Sequence, residues 1–283
     1  MQPSNNPSVS ICICNRNMQD TLSSSLASIL RQIDERFEVV VVDDGSSDDS
    51  LFILEFFQSK FASFKYFALA RDRKRKLGLT RNFSIQKASG DWVVLHLDAD
   101  DEVGEGLLEF VENVLLINSI DSTPVLYSGH QIHMAQREWL LSIGPYRNLY
   151  RLEDRDLYQR LIPRSQWRIL QHDPFITRLR RSRGRSLCKA IRDAFDHLVS
   201  DTRYEVNFSS ALRKELSQRV RGSMQLRIYR IVCLPLAFWM GRRLGVLGRS
   251  LGDFSDQGVR LYRQQNTRTV EEWCLYLSKL KDK

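Results

Sequence analysis

The sequence predicts an α/β fold, a mainly parallel sheet flanked by helices, followed by a helical basic tail. Three observations predict it. Near-continuous apolar runs alternate with stretches of helical spacing, as strands buried on both faces alternate with crossover helices. Acidic clusters follow the ends of two apolar runs, where ligands bind in open parallel sheets. Basic charge gathers in the last third of the chain.

Each element follows in order. Residues 9–13 form a first buried strand, and Leu22, Leu26, Ile29 and Leu30 mark one face of a helix over 21–32. Residues 37–42, rich in β-branched valines, form a second strand that stops at Asp43-Asp44-Gly45. Ser47 or Asp48 caps the next helix, whose face carries Leu51, Leu54 and Phe57. Residues 65–69 read as a third strand, and 79–88 as a helix stopping near Gly90. A fourth strand spans 92–97 and runs into Asp98; a helix over 106–117 and a strand near 124–127 follow. Residues 270–280 form a last short helix with Trp273, Leu277 and Leu280 on one face.

The composition, 42% hydrophobic and 27% charged over 283 residues, excludes global disorder, collagen and a disulfide miniprotein. Five cysteines, an odd number with no C-x-x-C pair, read as free thiols in a reducing compartment. Residues 1–10 show no basic region followed by an apolar stretch, so no signal peptide is expected. The net charge of +8 divides unevenly: residues 1–177 carry 19 basic and 24 acidic side chains, and residues 178–250 carry 17 and 5. The expected organisation is a body of residues 1–177 and a helical, basic, membrane-associating tail of residues 178–283.

Three acidic clusters carry the chemistry. Asp43-Asp44-Gly45-Ser46-Ser47-Asp48 offers carboxylates to a nucleobase or ribose, although a plain turn with a helix cap uses the same residues. In Asp98-Ala99-Asp100-Asp101, three carboxylates in four residues repel one another unless a cation joins them. A hard divalent ion such as Mg²⁺ or Mn²⁺ suits that oxygen-only environment, and a solvated acidic turn is the alternative. Glu153-Asp154-Arg155-Asp156 opens a helix, either for its favourable N-terminal charge or as a base beside a nucleotide site. Gly78 and Arg81 place a helix N-terminus and a guanidinium near a diphosphate. The basic run of residues 71–76 reads as a solvated loop that closes over an anionic ligand only transiently. His172 is a further metal or diphosphate contact, or a surface histidine before a turn. Trp139 stacks on a sugar or belongs to the core, and His130 with His133 lacks the partners of a zinc set.

The order of these pieces resembles glycosyltransferase family 2. Ser10-Ile11-Cys12-Ile13-Cys14-Asn15-Arg16-Asn17 is similar to that family's opening strand, and Ser25-Leu26, Ser28-Ile29-Leu30 and Gln32 to its first helix. Residues 38–48 resemble its nucleotide-binding strand end. Gly78, Arg81-Asn82, Ala88, Gly90-Asp91 and residues 97–101 resemble the segment leading into its D-x-D. Glu153-Asp154, Asp156-Leu157 and Arg160 resemble its E-D motif. Cys14-Asn15 and the dense basic run of residues 71–76 depart from the family pattern and put donor specificity in doubt. The resemblance implies a GT-A, Rossmann-like fold and an inverting transfer of sugar from a nucleotide-diphosphate sugar with Mg²⁺ or Mn²⁺. It implies Asn17, Asp43, Asp44, Arg81 and Asp98 at the nucleotide. It implies Asp98, Asp100 and Asp101 at the metal, joined by His172, and Asp154 as general base with Glu153 as neighbour. The acceptor is a glycan or a lipid-linked molecule. The alternatives are a non-catalytic nucleotide-sugar-binding subunit and a nucleotidyltransferase.

The tail supplies the second partner. Residues 231–241 are uncharged between Arg230 and Arg242-Arg243, 11 residues where a span needs about 20. An interfacial helix on an anionic membrane fits, with Trp239 and Tyr229 near the headgroups; a buried Pro-kinked helix is the other reading. No nucleic-acid module is visible. The expected location is cytoplasmic, peripheral on the inner face of the cell membrane.

Overall fold

The structure is a computed structural model that describes residues 8–149, 152–179, 187–205, 207–217, 224–245 and 256–281. The body begins β1 (Val9–Asn15), α1 (Gln19–Leu30), β2 (Phe37–Asp43), α2 (Ser50–Lys60), β3 (Phe64–Ala68), α3 (Leu77–Lys87) and β4 (Trp92–Leu95). It continues β5 (Asp101–Val103), α4 (Leu107–Ile120), β6 (Leu126–Ser128), β7 (His133–Gln136), α5 (Arg137–Ser142), α6 (Glu153–Leu161), β8 (Trp167–Leu170) and β9 (Ile176–Arg178). Three helices follow, α7 (Leu187–Thr202), α8 (Phe208–Ser217) and α9 (Met224–Arg243). The described chain closes with α10 (Asp256–Asn266), β10 (Thr267–Arg268) and α11 (Val270–Lys281).

The main sheet has the order β10-β8-β6-β7-β4-β1-β2-β3. All its pairings are parallel except those of β7, which runs antiparallel to β4 and β6. The expected mixed α/β class with a mainly parallel sheet is what forms. β2 is buried along its whole length, because strand side chains alternate between two covered faces. Ile11, Ile13, Val39, Val41 and Val94 enter one core with α1, α2, α4 and α11. Cys12, Val40, Val93 and Leu95 enter the other with α3, α5 and α6. Trp139 packs against this second core, and His133 is buried with Nε2 2.5 Å from Tyr158 Oη. The predicted fourth strand stops two residues early because His96 turns the backbone left-handed, φ 72°.

The tail is not one piece. α7, α8 and α9 share a small core of Leu198, Val199, Ala211, Leu234 and Ala237. Inside it Arg230 donates to both Glu215 oxygens, at 2.8 and 2.7 Å, and to Asp201 at 3.0 Å. The end of the chain returns to the body: β10 extends the main sheet beside β8, and Trp273 and Leu277 join the first core. A boundary at 177/178 thus leaves α10, β10 and α11 outside the unit into which they pack. Most of the dense basic segment, residues 180–185, lies outside the described residues. No helix among the described residues is long and apolar enough to cross a membrane.

Candidate active site

The carboxyl ends of β1, β2 and β4 lie side by side, so residues far apart in sequence meet there. At the end of β1, Asn15 donates from Nδ2 to Asp43 Oδ2 at 2.7 Å. Asp43 is fully buried and also accepts the Ser46 N–H at 2.8 Å and the Ser46 hydroxyl. Asp43 therefore braces the turn rather than facing a ligand. Asn17, at φ 52°, accepts the Ser47 N–H at 2.8 Å, so its side chain is the second brace of the same turn. Asp44 is the carboxylate that the braced turn presents.

Asp44 already has cationic partners. Arg75 Nε donates to Oδ1 at 2.7 Å and Arg71 Nη1 to Oδ2 at 3.2 Å. The run of residues 71–76 is thus folded back on the site, unlike the solvated loop expected from its charge. Asn148 holds it from the other side, accepting the Lys76 N–H at 2.9 Å and donating to Lys74 O at 3.1 Å. Gly45, at φ +70°, permits the approach: a Cβ there would lie 2.7 Å from Arg71 Cα.

The segment of the three aspartates is held by the polar face of α1 and by Gln32 just beyond its end. Thr21 donates to Ala99 O at 2.9 Å, Ser28 accepts the Val103 N–H at 2.9 Å, and Gln32 donates to Val103 O at 2.8 Å. Asp101 is buried and accepts the Asp98 N–H at 2.9 Å, which orients the loop. Burial pushes the Asp101 carboxyl up to about 6. One guanidinium, that of Arg178 on β9, meets all three carboxylates. It lies 3.2 Å from Asp98, contacts Asp100 and comes within 3.0 Å of Asp101 Oδ1, the last without hydrogen-bond alignment.

The oxygen-only donors Asp98 and Asp100, both turned toward one positive centre, fit a hard divalent ion. Among the described residues no group of three or more His, Cys, Asp and Glu is assembled around a metal position; Arg178 supplies the positive charge instead. His172 does not join them. Its Nε2 accepts the His130 N–H at 2.9 Å and its Nδ1 donates to Asp173 O at 2.8 Å, so both ring nitrogens are held by backbone. It braces the turn at Gly129 rather than serving the cluster.

Arg81 connects the two halves of the site. It is buried on α3, 3.3 Å from Asp98 Oδ1 and 3.4 Å from Glu153 Oε1. Glu153 is buried at the first position of α6, and burial pushes its carboxyl up to about 7 against the opposing Arg81 charge. Leu152, at φ 70°, makes the left-handed turn that starts α6 here, a strain on the order of 1 kcal/mol. Asp154 is half-buried beside Glu153 and accepts the Arg155 N–H at 2.8 Å. The α3 terminus offers less to an anion than its sequence suggests. The Gly78 N–H donates to Leu149 O at 3.1 Å and the Leu79 N–H to Lys76 O at 3.0 Å.

The model of Glycosyl transferase family 2 matches residues 8–160, more than half the chain. The chain belongs to that family. A cholesterol galactosyltransferase of Borreliella burgdorferi is 28% identical over 155 residues, 54% of this chain and 41% of that protein. A UDP-Glc:α-D-GlcNAc-diphosphoundecaprenol β-1,3-glucosyltransferase of Escherichia coli is 31% identical over 125 residues, 44% of this chain and 46% of that protein. The match thus spans less than half the length of these relatives. A mannosyltransferase of Pyrobaculum calidifontis, solved with GDP-Man and Mn²⁺, shares the fold with a TM-score of 0.54 over 99% of this chain and 88% of that chain, at 15% identity. S. aureus TarS, solved with UDP-GlcNAc, does so with a TM-score of 0.53 over 91% of this chain and 78% of that chain, at 16% identity. The fold is the GT-A fold.

Within the family 2 region, Asp44, Arg81, Asp98, Asp100, Asp101, Glu153 and Asp154 stand at one end of the sheet. The acidic motifs left Arg178, Arg71 and Arg75 unseen as partners. Arg178 lies 77 positions from Asp101 in sequence and reaches it through antiparallel β5–β9 pairing, Asp101 opposite Arg178. Two three-residue strands give no periodic signal of their own.

Proposed function

We propose that this chain is an inverting glycosyltransferase that moves a sugar from a nucleotide-diphosphate sugar to an acceptor hydroxyl, assisted by Mg²⁺ or Mn²⁺. The observation that carries it is Arg81, which touches Asp98 of the D-x-D and Glu153 of the E-D motif at once. Donor and base halves are thereby fixed relative to each other, as a single displacement requires. Asp44 holds the nucleobase once its arginines yield. Asp98 and Asp100 hold the divalent ion, with Asp101 as their orienting neighbour. When bound, that ion neutralises the charge of the departing diphosphate. Asp154 takes the proton of the acceptor hydroxyl, which attacks the anomeric carbon from the face opposite the leaving group and inverts it. Asp100→Ala and Asp154→Ala should each abolish transfer in a radiolabelled-donor assay while circular dichroism stays unchanged. Normal turnover in both would overturn the proposal. Metal-dependent release of nucleoside diphosphate, rather than inorganic diphosphate, separates it from a nucleotidyltransferase, and any release at all separates it from a mere binder.

A lipid-linked acceptor is supported by relatives named for diphosphoundecaprenol-linked substrates and by the outer face of α9. That helix buries Arg230 and leaves a stripe of large apolar side chains outside. Arg230, Leu234 and Ala237 face the small core, whereas Ile228, Val232, Leu236 and Trp239 are 56%, 71%, 55% and 51% exposed. Covering each is worth roughly 1 kcal/mol, and Arg243 stands 4.1 Å over the Trp239 ring at the end of the stripe. An anionic bilayer, at the inner face of the cell membrane, supplies both an apolar layer and negative headgroups. On this reading α7–α9 form the membrane-associating unit and the GT-A body the catalytic one. The full chain should float with anionic liposomes and less with zwitterionic ones, and Val232→Asp with Leu236→Asp should stop it. Equal flotation of wild type and double variant would remove the membrane from the proposal.

A further inference from the structure

We propose that Arg178 is the resident counter-ion of the aspartate cluster, and that a divalent cation binds by displacing it. This rests on the proposed metal-assisted reading for the identity of the incoming ion, and on geometry for Arg178 itself. The guanidinium meets Asp98, Asp100 and Asp101 together. Its backbone is pinned: β9 pairs with β5, the Leu179 N–H donates to Asp100 O at 2.8 Å, and the Gly104 N–H to Phe175 O at 2.7 Å. Val103 and Ile176 anchor the same two strands in the first core. The Arg178 side chain, by contrast, is 49% exposed. It can leave the carboxylates without unfolding the strand that carries it.

Charge explains why it must leave. Even with Arg81 beside Asp98, two guanidiniums against three ionised carboxylates leave the cluster net negative, so a divalent ion is still attracted. A divalent ion and a guanidinium cannot share the same Asp98 and Asp100 oxygens, because like charges at contact repel strongly. Metal binding alone therefore breaks the Arg178 contacts without replacement. When a nucleoside diphosphate arrives with the metal, its phosphate oxygens give the displaced fork a new bidentate partner. Arg178 thereby couples the two ligands: each favours the other, reciprocally. It acts as a positioning residue that keeps the D-x-D carboxylates together before the donor arrives.

The test is Mn²⁺ binding by the full chain, followed by the electron paramagnetic resonance signal of free Mn²⁺. With Mn²⁺ alone, Arg178→Gln should bind about tenfold tighter than wild type, the lower end expected for removing competing charge-assisted hydrogen bonds. Equal or weaker binding overturns the proposal. The gain should vanish when Asp100→Asn is added; a gain that persists means another site and also overturns it. Arg178→Lys, which keeps the charge but lacks the fork, should fall between, and it carries the test if the Gln variant does not fold; Lys equal to wild type then refutes. In the second arm UDP or GDP is added. Whichever raises the Mn²⁺ affinity of wild type should raise that of Arg178→Gln by a smaller factor, and an equal factor refutes the coupling. If neither nucleotide acts on wild type, the nucleotide-sugar reading fails, and the Mn²⁺-alone comparison still decides on Arg178.

Discussion

Glu153 gives the most direct check on the electrostatics of the site. It is buried between Arg81, Asp154 and the D-x-D, and desolvation lifts its carboxyl from 4.5 to about 7, with Arg81 opposing and Asp154 and Asp98 adding. A carboxyl whose folded value is raised favours the fold in its protonated form. Its contribution is fully present below about 4.5 and is lost as the pH rises through about 7. At about 1.4 kcal/mol per unit the whole change is on the order of 3 kcal/mol, of which roughly 2–3 kcal/mol falls between pH 5 and 8. Glu153→Gln keeps the shape and cannot ionise, so it should escape that loss. Urea denaturation of both proteins across pH 5–8 measures the difference directly, because every other titrating group is common to both. Wild type should lose about 2–3 kcal/mol relative to the variant on going from pH 5 to pH 8. Parallel stability curves would mean that Arg81, 3.4 Å away, keeps Glu153 ionised throughout, and the argument that burial outweighs this ion pair would be refuted.

Three further outcomes follow from the same structure. Asp43→Ala leaves Asn15 Nδ2 and the Ser46 N–H without their buried acceptor; it should cost about 2–4 kcal/mol in thermal denaturation and weaken nucleotide binding in calorimetry. Arg230→Met strands Glu215 in the small helical core, while Asp201 keeps His197 at 3.0 Å; it should cost about 3–5 kcal/mol, and adding Glu215→Met should recover part of it. Gly78→Ala sets a Cβ 2.0 Å from Arg147 O at the start of α3; it should destabilise by about 1–3 kcal/mol in urea and weaken nucleotide binding by moving Arg81.

The body was legible because its signals are local. Valine-rich runs such as residues 39–42 are central parallel strands, and Asp43-Asp44-Gly45 ends one of them, as the apolar-then-acidic order predicts. Asp98 and Asp100 can be picked out for the same reason, since they follow a strand whose end the hydrophobic pattern reveals, whereas Glu153 and Asp154 stand out as the acidic opening of a helix. What the pattern could not show was pairing between distant, short or exposed pieces. β9 has three residues and is defined by its partner β5, so Arg178 read as the first residue of a basic tail. β10 has two, and only its contact with β8 shows that the chain returns to the body. Nor does a sequence reveal which of two adjacent aspartates points inward. Asp43 is buried as a brace and Asp44 faces the site, a choice made by the alternation of β2 and by Asn15 across the strand gap. For His172 the sequence leaves two readings open for a related reason: whether a lone histidine has a free nitrogen depends on backbone groups that only the fold brings near it.

The arginines of the site divide by exposure into two kinds, and the division says which of them take part in binding. Arg81 has 6% of its side chain exposed and stands between Asp98 and Glu153. Buried among carboxylates, with Asp98 first, its charge is held more firmly than in water, and leaving would break its contacts to Asp98 and Glu153 together. Arg71, Arg75 and Arg178 have 35%, 18% and 49% of their side chains exposed and hold Asp44 and the three aspartates from outside. Solvent reaches each of these guanidiniums, most of all Arg71 and Arg178, so an incoming group of the same charge as the partner can take the arginine over. A diphosphate is such a group for each of them. On the proposed function, donor entry is an exchange of partners rather than the filling of an uncharged cavity. On the proposed function, the carboxylate released by Arg71 and Arg75 would be the one that meets the base, and those released by Arg178 the ones that meet the metal. Arg81, the arginine that would not exchange, ties the start of α6, where Glu153 and Asp154 stand, to Asp98.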